Sequence, residues 1–246
     1  MGRLTLTRRV AMSLLFYDLV GEDDRRFSPY CWRVRLALWH KGLVFEEHAV
    51  RFTDIPQLYG GRFRTVPILA DGKLLINDSM AIARYLESAY PNPPLFEGGF
   101  GEPACQFLTD WCATEIHPLV AKMIAHDIFT RLSDDDQVYF RSTREKRFGM
   151  PLEDVQAGRD LIRPQLAAAL SPVRGLLAHR DFLIGRAPTF ADYIIFSVFQ
   201  WAETMSDYSI LDDSDGVINN WRRRCASLVD AHATPSAGAA LQSPRA

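Results

Sequence analysis

Three short runs of this sequence place reactive or ligand-binding groups where one element gives way to the next. In Ser28-Pro29-Tyr30-Cys31 the serine offers an N-cap hydroxyl, the proline suits the first helical position, and Cys31, Val34 and Leu38 repeat at helical spacing. A hydroxyl together with the unpaired N–H groups of a helix start can hold an anion. In Thr65-Val66-Pro67 a proline interrupts an apolar strand. It donates no ladder hydrogen bond, so it needs an edge, a bulge or a cis turn whose neighbours face something other than the sheet. Asn77-Asp78-Ser79 caps a further helix that carries Ile82, Ala83 and Leu86 on one face, which makes a second anion-holding helix start.

The elements that position these runs are legible in the periodicity. Leu14 to Val20 reads as a buried strand punctuated by Asp18, and the helix after Ser28 should stop at Gly42, behind His40 and Lys41. Phe45 to Val50 is a second strand, followed by an irregular stretch with Pro56, Gly60 and Gly61. Thr65 to Ala70 and Lys73 to Ile76 flank Asp71-Gly72, the signal of a hairpin with a type I′ turn. The helix after Ser79 reaches about Ala89, so the order is β-α-β, a break, then β-β-α. A Pro- and Gly-rich joint from Pro91 to Gly101 follows, and beyond it the pattern predicts helices near 103–129, 136–148, 152–179, 189–204 and 216–231 with little strand signal. The expected organisation is an α/β domain over 13–90, a linker over 91–102 and an all-helical domain over 103–231. Residues 1–12 and 232–246 are expected to be disordered, with Met12 as an alternative start.

Composition sets the limits within which these runs act. A 246-residue chain that is 48% apolar and 24% charged lies in the ordinary globular range and can bury its own core. A formal net charge of −2 provides no field to draw the whole protein onto nucleic acid or an anionic membrane, and Arg222-Arg223-Arg224 reads as a solvated helix face. No run approaches the ~20 apolar residues of a membrane span. The four cysteines form no Cys-x-x-Cys pair and the six histidines lack metal-ligand spacing, so a reducing, cytoplasmic setting and no metal are expected.

The runs from Ser28 to Arg35, Thr65 to Pro67 and Asn77 to Ser79, with Thr189-Phe190-Ala191-Asp192 further on, resemble the glutathione transferase superfamily over roughly residues 14–230. Within it, Arg144-Glu145-Lys146-Arg147-Phe148 and Leu152 to Arg159 look most like the fungal ether-degradation class and the bacterial glutathione-dependent β-etherases. The resemblance implies a thioredoxin-like N-terminal domain, an all-α C-terminal domain, a homodimer, and glutathione as co-substrate. Carried onto this chain, it makes Ser28 the group that stabilises the glutathione thiolate, with Tyr30 the rival hydroxyl. It also implies a cis Val66–Pro67 bond that frees Val66 to pair with the cysteinyl backbone. Ser79 and its helix start then take the γ-glutamyl carboxylate, and Asp78 takes the ammonium. For the glycine carboxylate Arg64 and Thr65 match the usual contact region, with Arg62 and His40 behind them. Tyr30, Phe107, Trp111, Glu115 and Tyr208 are candidates for the pocket of a hydrophobic electrophile.

Two other readings stand beside this one. Ser-Pro-Tyr-Cys also looks like a glutaredoxin's Cys-Pro-Tyr-Cys with its first cysteine replaced, which leaves Cys31 as the nucleophile of a thiol-disulfide reductase. A carrier or scaffold of the same fold, without turnover, is the other. Thr189 and Asp192 read as a capping box that nucleates a helix.

Overall fold

The computed structural model describes residues 14–233; the expectations of disorder over residues 1–12, of a start at Met12 and of a disordered tail beyond residue 233 fall outside the described residues. The N-terminal half runs β1 (Leu14–Leu19), α1 (Pro29–His40), β2 (Phe45–Val50), β3 (Ile68–Asp71), β4 (Leu74–Asn77) and α2 (Ser79–Ala89). Its four strands lie in the order β2-β1-β3-β4, with β1 parallel to β2 and antiparallel to β3. This is the mixed sheet that the β-α-β, β-β-α order requires. Asp18, buried in β1, is held by the Arg35 guanidinium of α1, which also reaches Glu47 of β2 at 3.0 Å. The strand, the helix and the parallel neighbour are therefore tied by one buried charge cluster. Gly42 takes φ 63° and ends α1 where expected.

The hairpin differs in detail from the expected type I′ turn. Asp71 pairs with Leu74, so the turn residues are Gly72 and Lys73, and of these only Gly72 has positive φ, at 61°. A type I′ turn needs positive φ at both. Asp71 stays in the strand because its carboxylate accepts from the hydroxyls of Tyr85 (2.6 Å) and Tyr90 (2.8 Å) beside α2.

The C-terminal half is helical: α3 (Gly101–Trp111), α4 (His117–Met123), α5 (Ala125–Thr130), α6 (Asp134–Phe148), α7 (Leu152–Ala157), α8 (Arg159–Ala169), α9 (Ser171–Leu177), α10 (Phe190–Met205) and α11 (Gly216–Ala233). The helix expected over 103–129 is instead three helices, with a π turn at Cys112–Ile116 between the first two. The cause is Pro118, which has no N–H to continue an i→i−4 ladder; His117 N–H donates to the carbonyl of Cys112, five residues back. The helix expected over 152–179 is likewise divided at Gly158 and at Leu170, ahead of Pro172. In contrast, α11 extends to Ala233, two residues into the stretch expected to be disordered.

The two halves share one core, with α1 packed on α10. At the far end of α1, His40 lies 2.7 Å from the hydroxyl of Tyr193 and 3.1 Å from the carbonyl of Pro94. Nearer the front of the molecule, the buried Asp136 of α6 accepts from the N–H groups of Phe52 (3.0 Å) and Thr53 (2.9 Å) and from the Thr53 hydroxyl (2.9 Å). That contact fixes α6 against the loop after β2. Among the described residues no helix is long and apolar enough to cross a membrane, and no group of three or more His, Cys, Asp or Glu residues is placed to hold a metal ion.

Candidate active site

A cavity of about 650 Å³ lies between the two halves. The start of α1 forms one side through Phe27, Ser28, Pro29 and Tyr30, and the loop before β3 forms another through Arg64, Thr65 and Val66. Residues that the chain separates by nearly forty positions thus face one space. Ser28 is the N-cap of α1, nearly buried, and its Oγ accepts from the N–H of Cys31 at 3.3 Å. Oγ therefore sits among the first N–H groups of a twelve-residue helix, where a negative charge is favoured.

The Val66–Pro67 peptide is cis, and sheet pairing begins only at Ile68, so Val66 stands outside the ladder at the cavity wall. Asn77, which sequence reasoning placed only in the capping run before α2, holds this turn: its Nδ2 donates to the carbonyls of Thr65 (2.9 Å) and Pro67 (2.7 Å). The bond joins the turn directly to the start of α2. There Asp78, at φ 84°, caps the helix, its Oδ1 accepting from the N–H groups of Met80 (3.0 Å) and Ala81 (2.9 Å). The adjacent Ser79 Oγ is enclosed and has no hydrogen-bond partner among the described residues. Neither Asp78 nor Ser79 is among the residues that line the cavity.

Tyr30 is held by two residues of the other half and of its own helix. Its Oη lies 3.2 Å from Nδ1 of His117, whose Nε2 lies 3.4 Å from Nη2 of Arg33, and the Arg33 guanidinium sits 4.7 Å from the Tyr30 ring centre. Arginine only donates, so Nε2 accepts and the neutral imidazole carries its proton on Nδ1, donating it to Tyr30 Oη. The tyrosine's own hydrogen is left for a ligand in the cavity. Burial, with the nearby Arg33 charge, pushes the His117 pKa down from 6.5 to about 3. The unfolded chain therefore takes up a proton that the folded one refuses as pH falls below 6.5. Stability is expected to drop over that window at up to about 1.4 kcal/mol per pH unit. Urea unfolding of wild type and His117→Gln between pH 7 and pH 5 checks this: the variant should show the shallower pH slope.

The expected pocket residues other than Tyr30 are not in this wall. Phe107 is 67% exposed on α3, Glu115 is exposed in the π turn, and Trp111 is half-buried against the core. Tyr208 donates to Asp160 of α8 at 2.6 Å and stacks with Arg159, outside the lining of the cavity. Two expected cations are also engaged elsewhere, His40 between the halves and Arg62 over the Phe63 ring at 5.3 Å. In their place α6 supplies Tyr139, Phe140, Arg144, Arg147 and Phe148, with Phe52, Ala113, His117 and Trp201 among the other residues of the wall. A readable signal for this existed in the repeat Phe140, Arg144, Phe148, which puts two rings and a cation on one face of an otherwise polar helix.

The four cysteines are free and buried. Burial and the nearby Asp18 push the Cys31 thiol well above its ordinary pKa, opposite to the exposed, acidic thiol of a disulfide reductase.

A thioredoxin-like mixed sheet joined to a helical half, with a helix-start serine and a cis-proline turn facing one cavity between them, is the architecture of a glutathione-binding transferase. Residues 27–89 match the family of glutathione S-transferase N-terminal domains and residues 105–228 that of the C-terminal domains, and the chain belongs to the glutathione S-transferase family. It is 30% identical to glutathione S-transferase 1 of Dianthus caryophyllus over 217 residues, covering 82% of this chain and 89% of that protein. Its fold is similar to that of the glutathione transferase GSTFuA3 of Phanerochaete chrysosporium, with 26% identity, a TM-score of 0.78, and coverage of 88% of this chain and 97% of that one. A glutathione S-transferase of Ceriporiopsis subvermispora, solved in complex with glutathione, superposes with a TM-score of 0.79 at 22% identity over 92% of this chain and all of that one, a likeness of fold.

Proposed function

We propose that the chain is a glutathione transferase in which Ser28 holds the glutathione thiolate for attack on an electrophilic carbon. The observation that carries this reading is the meeting, in one cavity, of the Ser28 hydroxyl at the start of α1 with Val66 of the cis-proline turn. Glutathione fits the polar groups present. Val66 lies where an extended peptide can add to the sheet, Ser79 Oγ lacks a partner, and Arg64 stands beside Thr65 for the glycine carboxylate. Asp78 is turned onto its own helix, which leaves the ammonium to its second oxygen.

In the reaction the sulfur lone pair forms a C–S bond while the carbon releases its leaving group. For a β-aryl ether that group is an aryloxide, which takes a proton and departs as a phenol. The Tyr30 hydroxyl, oriented by His117, supplies a second donor in the same space. The likeness of the Arg144 to Arg159 stretch to the ether-degradation class supports the etherase form, and the reading makes the protein a cytoplasmic homodimer. Incubation with glutathione and either chlorodinitrobenzene or a fluorogenic β-aryl ether tests it: thioether formation supports the transferase, phenol release the etherase, and saturable glutathione binding with no product would leave a carrier.

The reductase alternative makes a separate demand on Cys31. Native protein treated with oxidised glutathione is expected to show no mixed disulfide by mass spectrometry, because every thiol is buried. A glutathionylated Cys31 would overturn the assignment.

A further inference from the structure

The cavity wall carries three arginines, Arg64, Arg144 and Arg147, and no carboxylate. Glutathione, on the reading above, brings one carboxylate to this region and leaves the other to the start of α2, so one guanidinium suffices for it. The two cations left over both lie on α6, among the rings of Phe52, Tyr139, Phe140 and Phe148.

Arg144 is half-buried, 4.9 Å from the centre of the Phe140 ring and 5.6 Å from that of Phe52, and it donates to the hydroxyl of Thr143 at 3.0 Å. No ion pair neutralises it or Arg147 among the described residues. The acidic residue between them in sequence, Glu145, is committed to Arg141 at 2.6 Å and to the N–H of Leu152. Burial, helped by repulsion from Arg147, pulls the Arg144 pKa down, and the neighbouring Tyr139 hydroxyl opposes it only in part. A chain that places two like charges three residues apart on an aromatic wall, without a counter-ion, has a local electrostatic deficit that an anion would relieve. Ring contacts offset part of the desolvation but leave the charge in place.

We infer that the electrophilic partner of glutathione at this site is an anionic aromatic compound, an aryl carboxylate or a molecule of similar charge, whose ring lies on the Phe52, Phe140 and Phe148 surface and whose anion meets Arg144 and Arg147. The inference rests on the proposed glutathione site and narrows its substrate class.

The test is calorimetric titration with three product-like ligands: S-benzylglutathione, S-(para-carboxybenzyl)glutathione and the neutral para-carbamoylbenzyl analogue. The glutathione part is common to all three, so the affinity ratio isolates the added charge. Wild type is expected to bind the carboxylate at least about 10-fold more tightly than the carbamoyl ligand at low salt. The ratio should fall toward one in Arg144→Gln and in Arg147→Gln, whereas Arg64→Gln should weaken all three ligands alike. Arg147 is exposed, so its variant remains informative where loss of Arg144 from the ring cluster disturbs folding. A wild-type ratio of one, or a ratio that persists when both α6 arginines are replaced, overturns the inference. Binding of none of the three ligands overturns the glutathione site itself, and is thereby distinguishable.

Discussion

Ser28→Ala is expected to lower kcat for thioether formation by about 10- to 100-fold, since a hydrogen bond from a neutral hydroxyl to a charged acceptor contributes about 1.5–3 kcal/mol. The KM for glutathione should change far less, because in the proposed complex Val66, Arg64 and the start of α2 bind parts of the tripeptide other than its sulfur. The acid limb of the pH-rate profile should move upward, as the bound thiol then needs more alkaline solution to ionise. The same substitution removes an N-cap, a loss of about 1 kcal/mol that thermal unfolding would register separately. Ser28→Thr, which restores a hydroxyl at the same helix start, should recover much of the rate. Steady-state kinetics on the three proteins distinguish this from a purely structural serine, which would alter stability and leave the pH profile in place.

Asp192→Ala is expected to cost at least about 3 kcal/mol of folding stability and to make the protein difficult to obtain folded. The carboxylate is fully buried and serves four donors: the N–H of Leu183 (2.9 Å), the N–H and hydroxyl of Thr189 (2.9 and 3.1 Å) and the indole N–H of Trp221 (2.8 Å). Removing it leaves those donors buried and unpaired, and detaches α11 from α10 at Trp221, whose ring packs on Phe196 and Phe199. Asp192→Asn should be milder yet still destabilising, because its amide nitrogen must face a donor. Urea unfolding followed by tryptophan fluorescence measures both, and a loss under about 1 kcal/mol for the alanine variant would contradict the account.

Much of the sheet half was legible because its signals are local. Ser28-Pro29 before a helical repeat, Gly42 after it, and the hairpin around Gly72 each specify backbone geometry within a few residues. The N-terminal side of the cavity followed, since Ser28 and Arg64 to Val66 lie on or beside those signals. Legibility failed where the determinant lies in another element. Asn77 has no sequence signature for holding the Thr65 to Pro67 turn, and Asp136 looks like one acid among three at a helix start until the loop after β2 folds onto it. Phe107, Trp111, Glu115 and Tyr208 fall outside the cavity wall for the same reason. Aromatic spacing along α3 marks a face but not its partner, and it is α6, tied down by Asp136, that meets the cavity. The helix breaks at Pro118 and Gly158 were visible residues whose weight against a long apolar repeat was underestimated.

The most direct measurement is the ionisation of bound glutathione itself. A pH titration of thiolate ultraviolet absorbance, with protein in excess, should show wild type lowering the thiol pKa from its free value near ~8.5 by a unit or more. In Ser28→Ala the shift should be largely lost. A thiol that ionises on wild type as it does in free solution, or a shift that survives intact in Ser28→Ala, would contradict the account.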